Sequence, residues 1–98
     1  MSFADHIAEH RRLSILRLLN DAPGYGLNES IVADAVNALG IATTRDQVRT
    51  EAGWLREQGL VTIEEIQGLM ILKLTTRGQD VAGGRATVPG VKRPSAKG

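Results

Sequence analysis

The sequence predicts one mostly α-helical domain that carries a small β-hairpin. Two observations point there. Apolar residues recur at three- and four-residue intervals through residues 3–20, 28–39 and 44–58, as in helices that bury one face. Between residues 61 and 74 the interval drops to two on either side of Gln67-Gly68, as in paired strands. Pro23-Gly24, Gly40, Gly59 and Gly83-Gly84 stand at the junctions, where a change of direction needs them. Ninety-eight residues suffice for one modest core. The domain is expected over residues 1–84, followed by a basic, disordered tail over 85–98.

The first helix is expected over residues 3–20. Leu13, Ile15, Leu16, Leu18 and Leu19 cover more of its circumference than the ~100° stripe of a surface helix. Two readings follow: a central helix wrapped by its own domain, or a seam for a second copy, making a homodimer through this helix. Arg11, Arg12 and Arg17 fall in the polar remainder and read as a solvated face. Ala22 to Gly26 is a break, with Tyr25 read as a packing residue. A short extended segment through Leu27 can add a third strand beside the hairpin. Asn28 is placed to cap the second helix, with Glu29 in its first turn. Ile31, Val32, Ala35, Val36 and Leu39 are expected to face inward there. Ser30, Ala33, Asp34 and Asn37 are expected to face outward, and Gly40 stops the helix.

Thr44 and Gln47 have capping-box spacing at the start of the third helix. Val48, Ala52 and Leu55 mark its buried face. Gly53 costs about 1 kcal/mol against alanine in a helix interior; it either permits a close backbone approach or is tolerated. Trp54, the single tryptophan, is expected to pack against the first helix. Gly59 ends the third helix, since glycine adopts the left-handed C′ conformation without a Cβ penalty. With Gln67-Gly68 as a two-residue turn, Ile66 pairs with Leu69, Ile63 with Leu72 and Val61 with Leu74. Val61, Ile63, Met70, Leu72 and Leu74 then share the core face, and Thr62, Glu64, Ile71 and Lys73 the other. Thr76 is expected to cap a short last helix through Ala82, with Gln79 at capping-box spacing and Val81 inward.

A helix running through "WLREQGLV" into a hairpin that ends in "LTTRG" resembles the winged helix-turn-helix superfamily. The resemblance makes the third helix a recognition helix and the hairpin a wing. It places Thr44, Arg45, Arg49 and Thr50 where residues enter the major groove of double-stranded DNA. Arginine can pair with both acceptors of guanine, and threonine can meet a phosphate or a thymine methyl. Arg45, Arg49 and Arg56 share one flank at helical spacing. The competing reading is a solvated flank with Arg45 and Arg49 paired to Asp46, Glu51 or Asp34. The wing tip carries Glu64 and Glu65 and no base, and acids repel a phosphate backbone. Ile66 and Leu69 face each other there as a protein contact or as ordinary surface scatter.

Charge is divided unevenly. Residues 85–98 hold Arg85, Lys92, Arg93 and Lys97 and no acid, whereas residues 1–84 hold eight bases against eleven acids. A weakly acidic body is not the usual footprint of a nucleic-acid-binding domain, so Lys92 and Arg93 in the tail become candidate phosphate contacts. The chain has no cysteine, which excludes disulfides and thiolate metal sites. No apolar run approaches the ~20 residues that span a bilayer, so no membrane partner is expected. Asp5, His6, Glu9 and His10 stand where a signal peptide would be basic and then apolar, so a cytoplasmic location is expected. His6 and His10 have helical ligand spacing, but no HExxH pattern is completed, and they read as a surface pair. Neither a nucleophile elbow nor a phosphate-cradling loop is present, so no enzyme activity, cofactor or metal is expected.

The stretches "RRLSILRLLNDAPGYGLNES", "TRDQVRTEAGWLREQGLV" and "LTTRGQDVAGGRATVPGVKRP" together resemble a family of small proteins of Mu-like phages and prophages, with an ArsR-like or winged-helix fold. The resemblance covers almost the whole chain. The metal-sensing cysteines of ArsR repressors are missing here, so metal regulation does not follow. What this resemblance implies is the fold and a phage protein in a bacterial host, the family's role being poorly defined; DNA binding in transcription regulation, from the winged helix and its arginine flank, is the first expectation. The alternative is a winged-helix protein-interaction module in phage assembly, packaging or interference with a host protein.

Overall fold

Ser2 opens the first helix with a reciprocal cap. Its hydroxyl accepts from the Asp5 amide at 3.1 Å, and the Asp5 carboxylate accepts from the Ser2 amide at 3.4 Å. The computed structural model describes residues 2–95. Among them are four helices and a three-stranded antiparallel sheet: α1 (Phe3–Asp21), β1 (Gly26–Asn28), α2 (Glu29–Ala38), α3 (Arg45–Glu57), β2 (Val61–Ile66), β3 (Leu69–Leu74) and α4 (Thr76–Ala82). No described helix is long and apolar enough to cross a membrane.

The wide apolar arc of α1 is filled from within the chain. Leu13, Ile15, Leu16 and Leu19 are buried, and α1 packs on α4, α2 and β3. Those four residues need no second copy to bury them, while Leu18 is only partly buried. Arg11 and Arg12 are not solvated as expected: Arg11 is buried and Arg12 half-buried, and both meet Glu51.

On α2, Asn28 caps as expected, its side chain accepting from the Ile31 amide at 2.9 Å. The inward face is rotated from the expected one. Glu29, Val32, Ala33 and Val36 are buried, while Ile31 and Leu39 are exposed. Both stripes have helical spacing. The choice falls to Glu29, whose carboxylate is drawn inside by partners on α3 and β3 and so sets the rotation. Asn37 ties the α2–α3 turn, bonding Ala33 O, Thr43 O and the Thr43 amide.

Thr44 and Gln47 form the expected capping box on α3. Val48, Ala52 and Leu55 are fully buried, and Gly53 faces open space, so no close approach requires it. The hairpin register is Ile66 with Leu69, Ile63 with Leu72 and Val61 with Leu74, as read from the sequence. Gln67 and Gly68 both have positive φ, 52° and 80°, the primed turn that matches strand twist. Leu27 does belong to a third strand, paired with Leu72, giving the order β1-β3-β2. Of the core face, Val61, Leu72 and Leu74 are buried, and Ile63 and Met70 partly so.

The last helix starts one residue earlier than expected. Thr75, not Thr76, is the cap: its hydroxyl accepts from the Gly78 amide at 3.0 Å and donates to Gly59 O at 2.8 Å. The third helical position is then Gly78, so Gln79 completes no capping box. Gly78 lies against Leu60 O and the Leu74 side chain, with no room for a Cβ.

The expectation of a disordered tail over 85–98 is corrected for residues 85–95. Val88 and Val91 are buried, and the Lys92 amide donates to Glu9 O at 3.2 Å. Buried valines and fixed backbone bonds hold this stretch as a strap across α1. Residues 96–98, with Lys97, lie outside the described residues.

Candidate functional site

The most constrained polar cluster centres on Glu29, which has no exposed surface. Its position follows from the sheet register. β1 pairs with β3 through Asn28 and Ile71, so the next rung would join residue 29 to Met70. The chain has already turned into α2 there. The Glu29 carboxylate takes the place of the missing strand backbone and accepts the Met70 amide. Two arginines complete its shell. Arg49 Nε and Nη2 donate to Oε1 and Oε2 at 2.6 and 2.8 Å, and Arg45 Nε donates to Oε1 at 2.8 Å. Arg49 also donates to Gly68 O at 3.0 Å and lies 3.5 Å from the Glu65 carboxylate, which latches the hairpin tip to α3.

The Arg49 and Arg45 bonds, helped by the Met70 amide, hold the Glu29 carboxyl down to about 2, against the opposing effect of burial. The same bonds to Glu29 raise both arginines. All three groups are therefore charged across ordinary pH. The competing sequence reading, arginines paired to acids, matches this geometry, but the acid is Glu29 rather than Asp46, Glu51 or Asp34. Nothing local in the sequence marked Glu29 as buried. Only the rung it shares with Met70, 41 positions away, does so.

The far flank of α3 holds a second cluster. Trp54 and Arg49 stand roughly 140° apart around the helix. Arg12 of α1 lies over the Trp54 ring at 4.0 Å, donates to Glu51 at 2.8 Å and donates to Gly90 O at 2.9 Å. Arg11 donates to Thr43 Oγ1 and Ala42 O, both at 3.0 Å. Trp54 thus packs on α1 as expected, with Gly90 of the strap against the edge of its ring.

The remaining predicted residues are dispersed. Thr44 is occupied as the α3 cap. Thr50 is exposed on the outward ridge of α3, which runs Asp46, Thr50, Gly53, Glu57 and contains two acids and no base. Arg56 is exposed and makes no ion pair among the described residues. Lys92 and Arg93 sit with the strap beside Glu9, away from Arg45 and Arg49. Ile66 and Leu69 do meet at the hairpin tip, with Ile66 54% exposed. The His6 and His10 rings contact edge to face at 4.9 Å. Burial, then the charges of His6 and Lys92, lower His10. The described residues contain no group of three or more metal-ligating side chains.

No family model and no solved structure matches the chain. It is similar to uncharacterized protein gp26 of Escherichia phage Mu, 52% identical over 90 residues that span 92% of this chain and 93% of that protein. It is also similar to an uncharacterized protein of Haemophilus influenzae, 46% identical over 78 residues, or 79% of this chain and 76% of that one.

Proposed function

The chain belongs to the Mu-like phage protein family of gp26, and we propose that it is a winged-helix protein-interaction module whose contact is the hairpin tip. The element order α1-β1-α2-α3-β2-β3-α4 and the sheet order β1-β3-β2 support the winged helix. One observation carries the preference for a protein over DNA. The arginines that a recognition helix would offer are held on Glu29, and the ridge α3 presents outward carries Asp46 and Glu57. The tip adds Glu64 and Glu65 beside an exposed Ile66. Acids near phosphates repel, whereas an apolar pair rimmed by charge suits a protein. The partner is a phage or host protein in the cytoplasm of the bacterial host, in assembly, packaging or host interference.

A second reading, DNA binding in transcription regulation, keeps one observation in its favour. Arg56 and the outer nitrogens of Arg45 remain open on a helix-turn-helix pair. One comparison separates the two. Wild type, Ile66→Asp and Arg56→Ala are tested against duplex phage DNA at low salt and against lysate of phage-producing cells. The protein reading expects no DNA shift, and a retained protein lost only with Ile66→Asp. A sequence-selective shift weakened by Arg56→Ala overturns it.

A further inference from the structure

The hairpin has an open side that the contact at its tip leaves unused. β2 is an outer strand of the sheet. The Thr75 amide donates to Leu60 O, and the two-residue turn closes the Ile66–Leu69 pair. Antiparallel ladders alternate, so Leu60, Thr62, Glu64 and Ile66 direct their backbone groups toward β3. Val61, Ile63 and Glu65 direct theirs outward. Among the described residues no hydrogen bond crosses that side. Val61 is buried, while Ile63 is half-buried and Glu65 exposed, which leaves the backbone of those two open to a partner.

The adjoining sheet face is apolar near the tip. Ile66, Leu69 and Ile71 share it by register, with Glu64 opposite Ile71. We infer that the β2 edge at Ile63 and Glu65 accepts an extended protein segment alternating apolar and basic residues, which adds as a fourth strand. Charge selects that occupant. β2 carries Glu64 and Glu65 and no base, and the one arginine that reaches the tip, Arg49, is already held by Glu29. A second copy is disfavoured, because edge-to-edge pairing gathers Glu64 and Glu65 of both chains on one short stretch. A strictly alternating segment instead turns its basic side chains to the face of Glu65 and its apolar side chains to the opposite face, beside Ile66.

This inference rests on the protein-interaction reading and is tested apart from it. The full-length protein is titrated with an acetylated, amidated octapeptide alternating valine and lysine, and with a valine–glutamate counterpart. Amide exchange and methyl shifts are followed by NMR. The valine–lysine peptide is expected to slow exchange at Ile63 and Glu65 by about tenfold and to shift the Ile66 methyls, and the glutamate peptide to do neither. N-methylating alternate peptide nitrogens should abolish the protection. Shifted Ile66 and Leu69 methyls with no protection at Ile63 and Glu65 overturn strand addition and leave the tip as a protein contact. No response to the valine–lysine peptide overturns the inference, while the lysate comparison still decides the broader reading.

Discussion

Glu29 is a single residue on which three elements depend. Replacing it with glutamine keeps the size and removes the charge that Arg45, Arg49 and the Met70 amide address. Glu29→Gln is expected to lower stability by about 1.5–3 kcal/mol, the range for hydrogen bonds to a charged group, as read by urea unfolding. The pH dependence has a definite sign. The folded carboxyl lies at about 2, below its ordinary 4.5, so the unfolded chain takes up its proton first. The stabilisation is complete above about 4.5 and is lost as pH falls from there toward about 2. Wild type should therefore lose stability through that window more steeply than Glu29→Gln; parallel acid-unfolding curves would contradict this. Glu29 was legible only as a first-turn acid with a favourable helix dipole, because its burial depends on a β3 amide distant in sequence.

Among elements, the hairpin was the most legible. Its period of two and its Gln67-Gly68 turn are local, and together they fix the register. The α2 face was not legible, because Ile31/Leu39 and Ala33 lie on overlapping arcs and a tertiary contact chose between them. Two close contacts make predictions here. Gly78 joins α4 to β3 where a Cβ meets Leu60 O and Leu74. Gly78→Ala is expected to cost about 1–3 kcal/mol by overpacking, seen as a lower melting temperature. Gly90 has φ +99°, and a Cβ there would sit 2.6 Å from Trp54 Cζ2. Gly90→Ala should loosen the strap and shift the emission of the single tryptophan to the red, a change that Gly53→Ala, facing open space, should not produce.

At the scale of the molecule, the Cα radius of gyration is 12.3 Å. About 13 Å is expected for one folded chain of this length. With the α1 arc filled internally, light scattering at micromolar concentration is expected to give the monomer mass; a dimer mass would show that an outer face of α1 does serve as a seam. Removing residues 85–98 uncovers the surface against which Val88 and Val91 pack, so the truncation should melt lower than wild type. The strap was illegible because its order comes from Arg12, Trp54 and Glu9, not from any period of its own. The pairing of Arg45 and Arg49 to an acid was legible as one of two readings, but the acid was not: charge placement on a helical wheel does not reveal a partner on another element, here Glu29.

The strap also orders events in time. Translation delivers α1 before residues 88–92, yet Arg12 and Glu9 bind those later residues directly. Until residue 90 has been made, Arg12 and Trp54 have no Gly90 to meet, and the core lacks Val88 and Val91. Closure of the strap therefore follows synthesis of residues 88–92, and a copy terminated before them exposes apolar surface that Val88 and Val91 cover.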